Sequence, residues 1–411
     1  MPIDVIDKSE FRQLISPHRN LSLAIHNWHL FKHGYSKELI EELVTYLKLK
    51  KGDWVLDPFC GGGTTLLTCK ELGINSRGFD ILPFSVFLSN VKIEDYDDKE
   101  LLQQLEVLKR KEPQNGDNRI LPDIPIVKKA FEPEVAVILL SIKSTIEENI
   151  ESPKTRAFFN LGFLSILESV SNTSKTGGFL RITKRRVYPD EIRNLFLTKV
   201  ESMIQDVVKL NKDGKNKKVS TSAKIGDARK LPTKRTFDAV ITSPPYPNRH
   251  DYTRIYSLEM MFDFVSSNDQ LKKIRYETIR SHVEARKKHE AVGYEKPERL
   301  DYLITQVKRN GTNNSQVLNM LEGYFEDMYL ALSEVYRCLK DGGKVAMVIS
   351  NVRFAGVNIV VDEILSAIGI QVGLIPREIW AIRYRGNSSQ QMRDYKRVPS
   401  RESVVIWGKD A

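Results

Sequence analysis

Two short stretches of the 411-residue chain concentrate residue types that bring a ligand and a reacting group together. The first is Asp57-Pro58-Phe59-Cys60-Gly61-Gly62-Gly63-Thr64-Thr65. Gly61-x-Gly63 lets the backbone approach a ligand closely at a helix N-terminus, so a side chain added at Gly63 is expected to meet that ligand. Asp80, 17 residues beyond Gly63, suits a carboxylate that binds ribose hydroxyls. Leu66 occupies the place of the third Gly or Ala in a dinucleotide fingerprint, and no Lys follows the glycines as a P-loop requires. Alone, the glycine pair reads as a plain turn more often than as a ligand site. The second stretch is Thr242-Ser243-Pro244-Pro245-Tyr246. Two prolines directly after an apolar run stop a ladder and fix an extended backbone whose carbonyls are free to accept from an amino group. Tyr246 then offers a flat face on which a base can stack.

The elements that must position these residues follow from the apolar pattern. Ser36 caps a helix with Leu39, Ile40, Leu43, Val44 and Leu47 at helical spacing. Trp54-Val55-Leu56 reads as a buried strand into the glycine turn. Leu66 to Leu72 resumes a helix, stopped by Gly73, and Ser76 to Phe79 forms a second strand into Asp80. The same grammar returns at Ala223-Lys224-Ile225, before Gly226-Asp227-Ala228, and at Phe237 to Ile241, before Thr242. A helix over Tyr324–Leu339, a strand Lys344–Ile349, a helix Val361–Ile368 and a last strand Ser403–Trp407 complete a doubly wound α/β pattern. Two stretches interrupt it: a mainly helical insertion over 90–219 and a second over 248–316 rich in charge, Tyr and His. The organisation is therefore a core in three pieces, 1–89, 220–247 and 317–411, around two insertions. Asn211 to Lys218 is a Lys/Asn-rich linker.

Together the two motifs resemble those of the DNA amino-methyltransferases, the S-adenosylmethionine-dependent enzymes that methylate exocyclic nitrogens. The resemblance implies a Rossmann-like class I methyltransferase fold: a mostly parallel sheet, helices on both faces, one antiparallel strand near an edge. It implies cofactor contacts at Asp57, Phe59, Gly61, Gly63, Thr64, Asp80, Asp227 and Ala228, and catalysis by Ser243, Pro244, Pro245 and Tyr246. The helix after Ser36 suits the family's N-terminal cofactor wall. Ser as first catalytic residue goes with N4-cytosine enzymes, Asp or Asn more usually with N6-adenine ones. The expectation is site-specific methylation of cytosine N4 in double-stranded DNA by base flipping, within a restriction-modification system and beside a separately encoded endonuclease. The alternatives are N6-adenine methylation, methylation of a guanine amino group in RNA, and a non-catalytic DNA-binding module that kept the fold. Cytosine carbon-5 methylation is excluded, because the chain has no Pro-Cys pair to supply the nucleophile.

Charge supports an anionic partner: 63 Lys+Arg stand against 53 Asp+Glu, a net +10. Leu180–Lys218 has eleven basic and five acidic residues, and Pro376–Arg401 seven and two. Arg181, Arg185, Arg249, His250, Arg280, Arg383 and Arg385 are the candidate DNA contacts, with the region after Tyr246 the expected target reader and the loop Gly177 to Arg181 its rival. Asn248 to Glu259 resembles a subgroup of these methylases. Hydrophobic residues at 41% and charged ones at 28% describe a globular chain, not collagen or a disordered polymer. No run approaches the roughly 20 apolar residues of a membrane span. Cys60, Cys69 and Cys338 are too few for a disulfide framework or zinc site, so no metal and a cytoplasmic setting are expected.

Overall fold

A computed structural model describes residues 3–111, 121, 124–212, 219–312, 314–386, 395 and 398–410. The strands are β1 (Val5–Asp7), β2 (Trp54–Asp57), β3 (Asn75–Asp80), β4 (Thr173–Thr176), β5 (Phe179–Ile182), β6 (Thr221–Ile225), β7 (Phe237–Thr242), β8 (Leu339–Ser350), β9 (Val352–Phe354), β10 (Val357–Ile359), β11 (Ile375–Arg385) and β12 (Ser400–Gly408). Eight of them form one sheet in the order β1-β11-β12-β8-β7-β2-β3-β6. All neighbours are parallel except β12, which is antiparallel to both β8 and β11. This is the expected class I architecture, with its one antiparallel strand third from an edge.

The central strands are apolar on both faces because helices cover both. Val55 joins a cluster under the helix Lys37–Tyr46, while Leu56 faces the helices Gln316–Cys338 and Val361–Gln371. Val345, Met347 and Ile349 face one way and Ala346 and Val348 the other, the period of two that a strand imposes. Ser36 caps the first of those helices, its Oγ accepting from Leu39 N at 3.3 Å. Gly73 ends the helix Thr64–Leu72 with φ 79, where a side chain is strained.

The first insertion packs its helices Asp98–Arg110, Pro133–Asn149, Pro153–Ile166 and Pro189–Lys212 around a separate apolar cluster. Between them the Gly177-Gly178 segment is the turn of a β4–β5 hairpin, rather than a free loop. Residues 213–218 of the linker lie outside the described residues. Two readings change. Pro376–Arg385, taken as part of a basic surface segment, lies within strand β11, with Ile379, Trp380 and Ile382 buried. The β9–β10 hairpin and the edge strand β1 carried no readable signal.

Candidate active site

The glycine turn is shaped by what presses on it. Gly61 and Gly63 have φ of 47 and 76, the left-handed region that favours glycine. A Cβ at Gly62 would lie 2.4 Å from Phe31 Cβ, and one at Gly63 would lie 2.8 Å from Ser89 Oγ and 2.9 Å from its Cα. The bare face of Gly63 therefore packs on the helix Pro83–Ile93, not on a ligand, which corrects the sequence expectation for that glycine. Gly61, Gly62 and Thr64 do line the cleft.

Asp57 is 1% exposed and holds the turn to its surroundings. Its Oδ1 accepts from Thr242 Oγ1 at 2.6 Å and Phe59 N at 3.2 Å, and its Oδ2 from Tyr35 Oη at 3.4 Å. Burial raises its pKa to about 6 despite these donors. Thr242 directly precedes Ser243, so one hydrogen bond joins the two motifs. At the end of β3, Asp80 accepts from Gly61 N and Leu82 N, both at 2.9 Å, and burial raises it too to about 6.

Between them opens a cleft of about 950 Å³ at the carboxyl ends of the strands, lined by Asp80, Asp227, Ala228, Ser243 and Pro245 among others. Strand order reverses here, because β2 is flanked by β3 on one side and β7 on the other. Asp227 is held below the usual carboxylate range, desolvation being outweighed by a fork of bonds from Arg229. A nucleoside with a charged tail fits these groups: a carboxylate at ribose height, bare glycine backbone beside it, and an acid next to apolar Ala228. Ser243 Oγ donates to Tyr246 Oη at 3.4 Å, and Tyr246 is half-buried.

The candidate DNA contacts separate into groups. Arg181 and Arg249 are exposed, and Arg249 sits at φ 71 beside the catalytic motif. Arg185, also exposed, donates to the carbonyls of Glu168 and Ser169 at 2.6 and 2.9 Å. Arg383 and Arg385 pair with Glu402. One assignment fails. Arg280 is 5% exposed and locked to Asp327 and Glu326, so it is a strut and not a phosphate contact. His250 is half-buried, and burial first and then His33 and Arg385 lower its pKa to about 4, so a DNA contact there relies on hydrogen bonding more than on charge. His282 lines the cleft with its Nε2 3.0 Å from Thr278 Oγ1.

Sequence reasoning missed an aromatic wall. Phe31 stacks on Tyr256 at 4.6 Å and on Tyr252 at 6.1 Å, and Phe31 and Tyr252 both line the cleft. Phe31 lies outside any periodic segment, and 221 residues separate it from Tyr252, so no local pattern could join them. The hairpin tip reaches the same corner: Asp251 N donates to Gly178 O at 3.2 Å. Among the described residues, no helix is long and apolar enough to cross a membrane.

A family model described as DNA methylase, for N6 and N4 methyltransferases, matches residues 12–89. The type II methyltransferase M.BsoBI of Geobacillus stearothermophilus is 33% identical over 99% of this chain and 90% of its own length. M.AvaI of Anabaena variabilis, also a type II methyltransferase, is 29% identical over 98% of this chain and 90% of its own. M.MjaII of Methanocaldococcus jannaschii is 36% identical over 33% of this chain and 28% of its own.

Proposed function

This chain belongs to the DNA amino-methyltransferase family, which uses S-adenosylmethionine, and from that premise we propose that it methylates N4 of cytosine at a specific site in double-stranded DNA. The observation that carries the reading is Ser243 at the mouth of the cleft, hydrogen-bonded to Tyr246 and one residue from the Thr242–Asp57 link. Ser in that place is what, by resemblance, goes with N4-cytosine chemistry.

When bound, S-adenosylmethionine supplies an electrophilic methyl group on a sulfonium. The chain's own residues do the rest. The Gly61–Thr64 turn and Asp80 hold the donor, and Asp227 with Ala228 flanks the adenine. A cytosine amino group lies inside the duplex, so the base must leave the stack at a cost of a few kcal/mol. Stacking on Tyr246 offsets about 1–3 kcal/mol of that. The amino nitrogen is a poor nucleophile because its lone pair is shared with the ring. Ser243 Oγ and the Pro244 carbonyl hold its hydrogens and favour a more tetrahedral nitrogen. Positioning then supplies much of the rate, with no covalent enzyme intermediate. A separately encoded endonuclease of the same specificity is the partner this reading implies.

The test is to incubate the protein with unmethylated DNA and S-adenosylmethionine and to analyse the digested nucleosides by mass spectrometry. N4-methyldeoxycytidine is expected; N6-methyldeoxyadenosine in its place overturns the reading. Sequencing that detects modified bases then gives the site.

A further inference from the structure

Three strands stand higher than the catalytic one. β7 ends at Thr242, level with Met347 of β8, but β8 continues to Ser350. β12 and β11 keep pace with it, since Ser350 pairs with Glu402 and Glu402 with Arg383. Three further residues make a step roughly 10 Å high beside the turn that carries Ser243 and Tyr246. A β-bulge lies between Ala381 and Arg383, a device that re-aims the following side chain.

On this step both oxygens of the buried Glu402 carboxylate are taken. Arg383 Nε donates to one and Arg385 Nη1, at 3.2 Å, faces the other. Arg383 Nη2 is buried and has no acceptor among the described residues. A guanidinium nitrogen can only donate, and a buried donor without an acceptor costs enough that a ligand is the natural supplier. The cluster lies on the strands that rise beside the turn carrying the catalytic tyrosine. Burial and then the Glu402 carboxylate push the Tyr246 phenol up, while Ser243, Arg385 and Arg383 pull it back. The Tyr324 hydroxyl, also buried without a partner among the described residues, has its ionisation disfavoured by burial first and then by the Tyr246 phenol.

We propose that Arg383 reads the flipped base, its Nη2 donating to the N3–O2 edge of a cytosine stacked on Tyr246. Glu402 fixes the guanidinium and Arg385 continues toward the DNA backbone. The inference rests on the cytosine reading above. In cytosine the reactive amino group is followed around the ring by two acceptors, N3 and O2. In adenine N1 is followed by a C–H, which leaves a buried donor unmet. Arg383 is thus a specificity determinant and not one more phosphate contact.

The experiment is a cycle of protein variants against target-base analogues. Arg383→Met keeps bulk and removes the donors, and Arg383→Lys keeps the charge beside Glu402 should the first variant not fold. Either is expected to leave the S-adenosylmethionine Kd within about twofold and to lower kcat/KM on the cytosine site by about 10- to 100-fold. The wild-type protein is expected to lose a similar factor on DNA whose target is 3-deazacytosine, lacking N3, or a 2-aminopyridine nucleoside, lacking O2. With at least one analogue the combined loss falls at least tenfold short of the product of the two single losses. Strict multiplication with both analogues overturns the assignment, because a merely structural arginine weakens every target alike. If the wild-type product is N6-methyldeoxyadenosine, the cytosine reading fails and this inference falls with it. If N4-methyldeoxycytidine forms and the losses multiply, only Arg383 has been misplaced.

Discussion

At the glycine turn each oxygen of Asp57 and Asp80 already accepts a hydrogen bond from the protein, whereas beside the proline pair Arg383 Nη2 and the Tyr324 hydroxyl are buried without one. The cofactor end is complete before its ligand arrives. The base end holds buried donors with no acceptor among the described residues, and under the proposed role of Arg383 one of them is met by the substrate. An arrangement of this kind binds the donor into a fixed mould and leaves discrimination to the step at which DNA closes the second half.

The largest effect is expected at Arg280, which braces the cofactor end through Asp327. It fills a buried ion pair with Asp327, which also receives Arg229, the partner of Asp227. Arg280→Ala leaves that acid short of a cation and is expected to cost about 3–5 kcal/mol of stability, read from urea midpoints. The salt dependence of DNA binding is expected to stay as it was; a lower slope returns Arg280 to the DNA face. Next comes Gly62→Val. Its Cβ would meet Phe31 at 2.4 Å, so about 1–3 kcal/mol of overpacking and the loss of calorimetrically detectable S-adenosylmethionine binding are expected. Gly342→Ala is the control, with a positive φ but nothing within 4 Å and no expected change in Kd. Unaltered cofactor affinity in a folded Gly62→Val protein would contradict the idea of a fixed mould.

Tyr246→Ala probes the other half. Loss of stacking is expected to lower kcat/KM by roughly 10- to 100-fold while cofactor affinity stays near the parent value. A change in cofactor Kd instead would merge the two halves. The pH response sharpens the contrast further. Asp80 has its pKa raised to about 6, by burial first, and only its ionised form accepts fully from a ribose. Cofactor affinity is therefore expected to be full above pH 7 and to weaken as pH falls through 6, by at most about tenfold per pH unit for one proton. Asp80→Asn is expected to flatten that profile. The smallest effects belong to the exposed cations. Arg181→Ala or Arg249→Ala is expected to weaken binding to all DNA sequences alike and to reduce the log-log salt slope by about 0.9 per lost contact.

Much of the cofactor end was legible in the sequence because it is local. The strand Trp54–Asp57, the turn and Asp80 fall within a span that one apolar pattern and five glycines punctuate. The proline pair was legible for the same reason. β11 was not: Arg377, Glu378, Arg383 and Arg385 give it the composition of a surface loop, and only pairing with β12 and burial of Trp380 make it a strand. Arg280 misled in the opposite sense, since a lone arginine reads as solvent-facing until Asp327, 47 residues away, is seen to enclose it. The aromatic wall of Phe31, Tyr252 and Tyr256 depends on packing between distant segments, which no spacing rule records.

The edge strand β1 bears on how the molecule is made. Val5 pairs with Ile379 and Asp7 with Ala381, so the outermost ladder of the sheet joins one end of the chain to the other. On a ribosome adding about 5–20 residues per second, β1 waits roughly 20–75 s for its partner. Its neighbour β11 has no register before β12 is also available, because β12 holds it to β8. The cluster around the first insertion spans Trp28 to Leu271 and so is complete in sequence about 100 residues before β11 begins. The step bearing Arg383 and Glu402 is thus among the last parts to be synthesised. A chain cut short before β11 therefore carries every residue that lines the cleft but lacks the step beside the base.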